Sequence, residues 1–103
     1  MLDWMKSYDV FICPVAAKPA QPMAVDPSLS PTGGFGAPGS GRPCTGAFNT
    51  TGWPVVVVRC GASADGKLPI GIQIVAPPWR EDRCLAVATF LESRSGGWQR
   101  PPV

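Results

Sequence analysis

Apolar residues fall into short dense runs that are separated by stretches rich in glycine and proline. The first run, "YDVFICPV" (8–15), is β-branched and aromatic and predicts a short strand that stops near Pro14. The runs "VVVVRC" (55–60) and "LPIGIQIVA" (68–76) predict two more strands. The turn residues Asp65 and Gly66 lie between these two runs, so we expect an antiparallel hairpin.

The spacing of apolar residues changes from strand-like to helical after Glu81. Leu85, Ala88 and Leu91, with Cys84 and Val87 beside them, recur at helical intervals and predict an amphipathic helix from Glu81 to about Arg94. Acidic residues open this segment and glycines follow it, as is typical of helix ends. The predicted order is therefore strand, long loop, β-hairpin and helix, which is an α/β composition.

A long segment between the first strand and the hairpin shows no periodicity. Residues 16–47 are predicted to be one irregular loop rich in proline and glycine, and residues 48–54 a turn in which Gly52 allows a positive φ. The stretch "TGGFGAPGSG" (32–41) places Ser40 between two glycines. It lacks the preceding strand, the following helix and the lysine of a phosphate-binding loop, so we interpret it as part of the loop.

The predicted hairpin needs apolar cover on both of its faces. Alternation places Ile70, Ile72 and Ile74 on one face of the return strand, and the opposite face carries no charge either. The run 55–58 is apolar at every position, which predicts a central strand buried on both sides. One helix covers one face only. We therefore expect residues 1–103 to form one part of a larger α/β domain, in which other segments of the protein cover the second face of the hairpin.

Composition excludes several classes of function. Nine basic and seven acidic residues give a formal charge of +2, which provides no footprint for nucleic acid or for an anionic membrane. The sequence shows neither a signal peptide nor a membrane-spanning run, so we expect a cytoplasmic location. There is no histidine, and the four cysteines are far apart in sequence, so we predict no metal site, no cofactor and no thiol nucleophile. Cys13, Cys60 and Cys84 are expected to pack as small buried apolar groups.

Several segments, taken in order, resemble the C-terminal part of the amidase signature family. These are "YDVFICPV", "FNTTGWPVVVVRCG", "LPIGIQIVAPPWRED" and "LAVATFLE". The residues at matching places are Asp9, Pro14, Asn49, Gly52, Pro54, Gly61, Leu68, Pro69, Gly71, Gln73, Asp82, Leu85 and Glu92. One departure is Arg59, where the family usually has proline.

The resemblance implies a large fold with a mixed central sheet between helices, and hydrolysis of a carboxamide through an acyl-enzyme. In the family, a lysine acts through a cis-peptide serine on a second, nucleophilic serine. This chain has no matching lysine and no matching serine-rich glycine loop, so it carries no catalytic residue and is expected to be inactive alone. Thr45, Phe48 and Asn49 are the residues that the resemblance suggests as lining of the amide-substrate pocket.

Other interpretations remain open from the residues. Asn49 is equally suited to a structural role, because its amide could tie down the turn before Pro54. The chain as a whole is either an amidase segment completed by the remainder of its domain, or a non-catalytic module that docks a strand onto a partner sheet. An inactive gene remnant is a third possibility.

Overall fold

The computed structural model describes residues 2–20 and 44–100, which contain three helices and three strands. The helices are α1 (Leu2–Met5), α2 (Gly46–Thr51) and α3 (Glu81–Ser95), and the strands are β1 (Phe11–Pro14), β2 (Val55–Ala62) and β3 (Pro69–Val75). The hairpin and the long helix were predicted, whereas α1 and α2 were not. Most of the predicted loop 16–47, with Ser40 and the glycine-rich stretch, lies outside the described residues.

The three strands form one antiparallel sheet in the order β1-β3-β2. Ile74 of β3 lies between Ile12 of β1 and Val56 of β2. The β2–β3 register shifts between Arg59 and Gly61, which marks a bulge in β2. In the described sheet β3 is central and β2 is an edge, so the central position predicted for β2 is not found among these three strands.

The turn of the hairpin forms at the residues that the sequence indicated. The Ser63 hydroxyl and the backbone N–H of Lys67 both donate to the Asp65 carboxylate, and the Ser63 N–H bonds the Leu68 carbonyl at 2.8 Å. Gly66 has a φ of +74°, a conformation that glycine adopts without strain.

Helix α3 covers one face of this sheet. The buried cluster on that side consists of Val58, Ile74, Ala76, Cys84 and Ala88. The Cys84 thiol lies within hydrogen-bond distance of the Ile74 and Pro54 carbonyl oxygens, at 3.3 and 3.4 Å. Burial of the Cys84 thiol follows from this position.

Two predictions about the apolar surface were wrong. Of the predicted apolar residues of α3, Cys84 and Ala88 are buried against the sheet as expected, but Leu85 is 57% exposed. Cys60 is exposed on the edge strand β2, and Cys13 is only half-buried, so Cys84 alone of the three is a buried core residue.

The opposite face of the sheet is covered at one end by the short helices. Met5 and Phe48 are buried there, and the Phe11 ring lies 6.4 Å from the Phe48 ring. Val75 on this face is fully buried, whereas Val57 is 54% exposed. The chain thus shelters more of its second face than the sequence predicted, but it leaves the Val57 end open.

Candidate functional site

Helix α2 carries the three predicted pocket residues and is anchored along β1. The Cys44 backbone N–H, just before the helix, bonds the Val15 carbonyl at 2.7 Å. Further along, the buried Phe48 ring contacts Phe11 at the start of β1. These two contacts fix α2 against the sheet from one end of β1 to the other.

Glycine ends α2 and directs the chain into β2. Gly52 adopts φ +67°, and its N–H bonds the Phe48 carbonyl at 2.8 Å. This confirms the predicted positive φ at Gly52. Pro54 follows, and its carbonyl accepts a hydrogen bond from the Ala76 N–H at 3.2 Å, which joins the turn to the end of β3.

Thr45 and Asn49 lie four positions apart on one side of α2. Thr45 is the N-cap residue directly before the helix, and its carbonyl accepts hydrogen bonds from the Phe48 and Asn49 N–H groups at 3.2 and 3.1 Å. Thr45 is half-buried and Asn49 is exposed. Within the described part of the chain neither side chain makes a hydrogen bond, so both polar groups are available to a ligand.

The structure tests the other role considered for Asn49. Among the described residues the Asn49 amide makes no hydrogen bond to the turn before Pro54. The hydrogen bond from the Gly52 N–H to the Phe48 carbonyl closes this turn instead. The neighbouring threonines differ from Thr45. Thr50 and Thr51 direct their hydroxyl groups to the helix carbonyls of Gly46 and Ala47, each at 2.9 Å.

A buried amide beneath this region was not singled out in the sequence for a role of its own. Gln73 is 1% exposed, and its Nε2 donates to the Pro14 carbonyl at 2.9 Å and lies 3.6 Å from the Cys13 sulfur. The signal that could have found it is its position. It is the one long polar side chain in a strand that is otherwise apolar, and such a group needs a partner when buried.

Two of the thiols, those of Cys13 and Cys84, are poor nucleophiles. Burial raises the pKa of the Cys13 thiol, with a smaller contribution from the nearby Cys44 thiol. Burial is also the main cause of the raised pKa of the Cys84 thiol. Both groups are therefore protonated at neutral pH, and the thiolate needed for attack is scarce.

The described residues bring no three cysteine, aspartate or glutamate side chains together as metal ligands. No helix in residues 2–20 and 44–100 has the length and apolarity needed to cross a bilayer. Two cavities in this part of the chain, of about 270 and 410 Å³, are lined by residues other than Thr45, Phe48 and Asn49.

Comparison with known proteins places the chain in a family. The family model named Amidase matches residues 1–85, which extend from α1 through the sheet to the first turn of α3. The chain belongs to the amidase family, as the motif resemblance indicated.

Several curated relatives match over part or most of the chain. A putative amidase, AmiA2, of Mycobacterium tuberculosis is 35% identical over 97 residues, which is 91% of this chain and 19% of the relative. Fatty-acid amide hydrolase 2 of Homo sapiens is 47% identical over 57 residues, 55% of this chain and 10% of the relative. A glutamyl-tRNA(Gln) amidotransferase subunit from Methylocella silvestris is 35% identical over 77 residues, 67% of this chain and 15% of the relative. The chain thus spans a tenth to a fifth of these proteins, and no solved structure matches it significantly.

Proposed function

We propose that this chain is the C-terminal portion of an amidase-type hydrolase that cleaves the C–N bond of a carboxamide. The observation that carries this proposal is the family match over residues 1–85, which runs through all three strands and helix α2. Two relatives are named for amide hydrolysis, one for fatty-acid amides. The proposed location is the cytoplasm.

The proposed reaction is acyl transfer by a serine, a cis-peptide serine and a lysine. These groups would lie outside this chain, in the remainder of the domain. A desolvated lysine can serve as the base in such a site, and backbone N–H groups can stabilise the oxyanion. The mixed central sheet between helices that the resemblance implies would be completed by that remainder.

The proposed contribution of this chain is one wall of the substrate pocket. The Thr45 hydroxyl and the Asn49 amide have no partner within the described residues and lie on one side of α2. Phe48 supports the same helix from below, because its ring is buried against Phe11. In this role Thr45 and Asn49 would orient a polar group of the amide, and Phe48 would hold the helix in position.

Uncovered apolar residues on both faces of the sheet support the presence of further segments of the domain. Ile12 and Val57 are 47% and 54% exposed, although each lies in a strand of the sheet. Full burial of such a side chain contributes about 1.5–3 kcal/mol. We propose that the remainder of the amidase domain covers them.

A chimaeric enzyme tests the proposal. The 97-residue matched segment of AmiA2 of Mycobacterium tuberculosis would be replaced by the corresponding segment of this chain, which includes Thr45 and Asn49 because the match covers 91% of the chain. Hydrolysis of a carboxamide that the parent enzyme accepts would be measured. We expect the folded chimaera to retain hydrolysis, and a matched chimaera carrying Thr45→Val and Asn49→Leu to show a raised KM. A chimaera that folds like the parent enzyme but hydrolyses no amide would contradict the proposal.

A non-catalytic docking module is the second candidate, and the exposed edge strand β2 with Val57 favours it. An edge strand can pair with the sheet of a partner. Under this alternative the 103-residue chain would form a stable complex with an unrelated sheet protein, and the chimaera would be inactive. An inactive remnant would fail in both assays.

A further inference from the structure

A cavity of about 410 Å³ lies between the hairpin turn and the residues that follow α3. Its size falls within the range of about 300–1,000 Å³ that small-molecule sites occupy. The residues of interest, here called the hairpin–tail pocket, are Arg59, Lys67, Glu92, Trp98 and Arg100. The Ser95 hydroxyl donates to the Arg59 carbonyl at 2.9 Å, and this bond fastens the end of α3 to β2 beside the pocket.

The hairpin–tail pocket has a surplus of positive charge. Arg59, Lys67 and Arg100 line it, and Glu92 is the one carboxylate among its lining residues. Within residues 2–20 and 44–100, none of the three cations is paired with a carboxylate.

Three basic residues elsewhere in the described fold have carboxylate partners. Lys6 pairs with Asp3 at 2.6 Å, Arg80 with Asp82 at 2.7 Å, and Arg83 lies 2.8 Å from a carboxylate oxygen of Asp9. Lys18 and Arg94 also lack a carboxylate partner within the described residues, but each lies outside this pocket. The distinguishing feature of the pocket is that three such cations line one concave site, and convergent charge of one sign attracts ions of the opposite sign.

An aromatic surface completes the pocket. Trp98 is 76% exposed, so a large part of its indole is open to a ligand. Indole rings stack on planar groups, and guanidinium groups such as those of Arg59 and Arg100 contact the same planar surfaces. The pocket therefore offers cations for an anion and an indole for a ring.

We propose that the hairpin–tail pocket binds a small molecule in which a phosphate or a carboxylate is joined to an aromatic ring. Lys67 and Arg100 contact the anion, and Trp98 stacks on the ring. This binding site is separate from the proposed amide-substrate wall on α2, so the proposal does not depend on amide hydrolysis.

Titration calorimetry at low ionic strength on the 103-residue chain tests this proposal with three probes: phenyl phosphate, benzoate and benzyl alcohol. We expect saturable binding of one molecule of an anionic probe and none of the neutral alcohol at the same concentration. Tighter binding of phenyl phosphate assigns the site to phosphates, and equal or tighter binding of benzoate assigns it to carboxylates. Added salt weakens either interaction.

Charge-reversal variants test whether the residues of the hairpin–tail pocket bind the anion. Lys67→Glu should weaken binding about tenfold or more, as expected for loss of a charge-assisted contact. Arg100→Glu, in the tail, should do the same without touching the hairpin turn. Lys18→Glu is the matched control, because Lys18 lines the other cavity and carries the same charge. Absence of saturable anion binding, or equal loss in the Lys67 and Lys18 variants with unchanged circular dichroism, would overturn the proposal.

Discussion

The side-chain amide of Gln73 donates a hydrogen bond to the main-chain carbonyl of Pro14 across 2.9 Å. Pro14 is the last residue of β1, and the next residue, Val15, accepts the bond that anchors the start of α2. Gln73 therefore connects the central strand to the point where the proposed pocket wall is attached.

Replacement of Gln73 by leucine should destabilise the fold. The variant leaves the Pro14 carbonyl without its buried donor, which costs about 1–3 kcal/mol. The midpoint of urea unfolding should fall accordingly. Gln99→Leu is the control, since Gln99 is exposed, and an equal loss in both variants would contradict the assigned role.

Gly71 occupies a tight position in β3. A Cβ atom there would lie 3.3 Å from side-chain atoms of both Val15 and Val57. Gly71→Val should therefore cost about 1–3 kcal/mol through overpacking. Gly61→Val is the matched variant, because a Cβ at Gly61 meets nothing within 4 Å, and its unfolding midpoint should stay near that of the parent.

Ile74 and Ile70 lie in the same strand but differ in burial. Ile74 is 0% exposed in the cluster beneath α3, and Ile70 is 39% exposed. Ile74→Ala should cost about 2–5 kcal/mol. Ile70→Ala should cost about 1 kcal/mol, because less apolar area is returned to water. Chemical denaturation of both variants measures the difference, and equal losses would mean that α3 does not cover the face as described.

The first turn of α3 predicts a dependence of stability on pH. Two hydrogen bonds of 2.8 and 2.7 Å from the Arg80 guanidinium are the main reason that the pKa of Asp82 is lowered to about 2 from 3.8. A lowered pKa in the folded state favours the charged form. Its stabilisation is present above pH 3.8 and is lost as the pH falls through about 2.

Titration of the Asp82 carboxyl by NMR should give this low midpoint, and Arg80→Gln should return it toward 3.8. In the Asp82→Asn variant, the free energy of unfolding should decrease less between about pH 4 and about pH 2 than in the parent, because one titrating carboxylate has been removed. An unchanged acid unfolding profile in this variant would show that the Arg80 contact does not stabilise the fold.

The backbone of Trp79 is in a strained conformation. It has a φ of +67° and is 88% exposed, so the left-handed conformation is not compensated by packing of the indole. Trp79→Asn should raise the free energy of unfolding by about 1 kcal/mol, since asparagine tolerates this conformation. Trp98→Asn is the control for removal of an exposed indole and should have little effect.

The hairpin and α3 were predictable because local pattern decides them. The runs around Val57 and Ile72 indicate strands whatever surrounds them, and the residues Asp65 and Gly66 specify a turn. Which strand is central was not predictable in this way. The uninterrupted valines suggested β2, but β1 arrives from far along the chain to pair with β3, and no local pattern specifies that pairing.

Helix α2 and the orientation of α3 show a second limit. The segment "GAFNTT" has one strong helix former, Ala47, and the helix is fixed by burial of Phe48 against Phe11 and by the Gly52 end. In α3, Cys84, Leu85 and Ala88 all fit the helical spacing. Packing against Ile74 buries the small residues Cys84 and Ala88 and leaves Leu85 exposed. The three candidate residues fell on one helix, but the sequence did not show that Phe48 faces inward while Asn49 faces outward.

The strand order β1-β3-β2 has a consequence for biosynthesis. Phe11 finds its register partner in Val75, so β1 cannot pair with β3 until the ribosome has translated the chain through Val75. Until then the hydrogen-bonding groups of β1 that face β3 have no strand partner in this sheet, a situation in which chaperones commonly intervene. Assembly of this sheet is therefore governed by the emergence of β3.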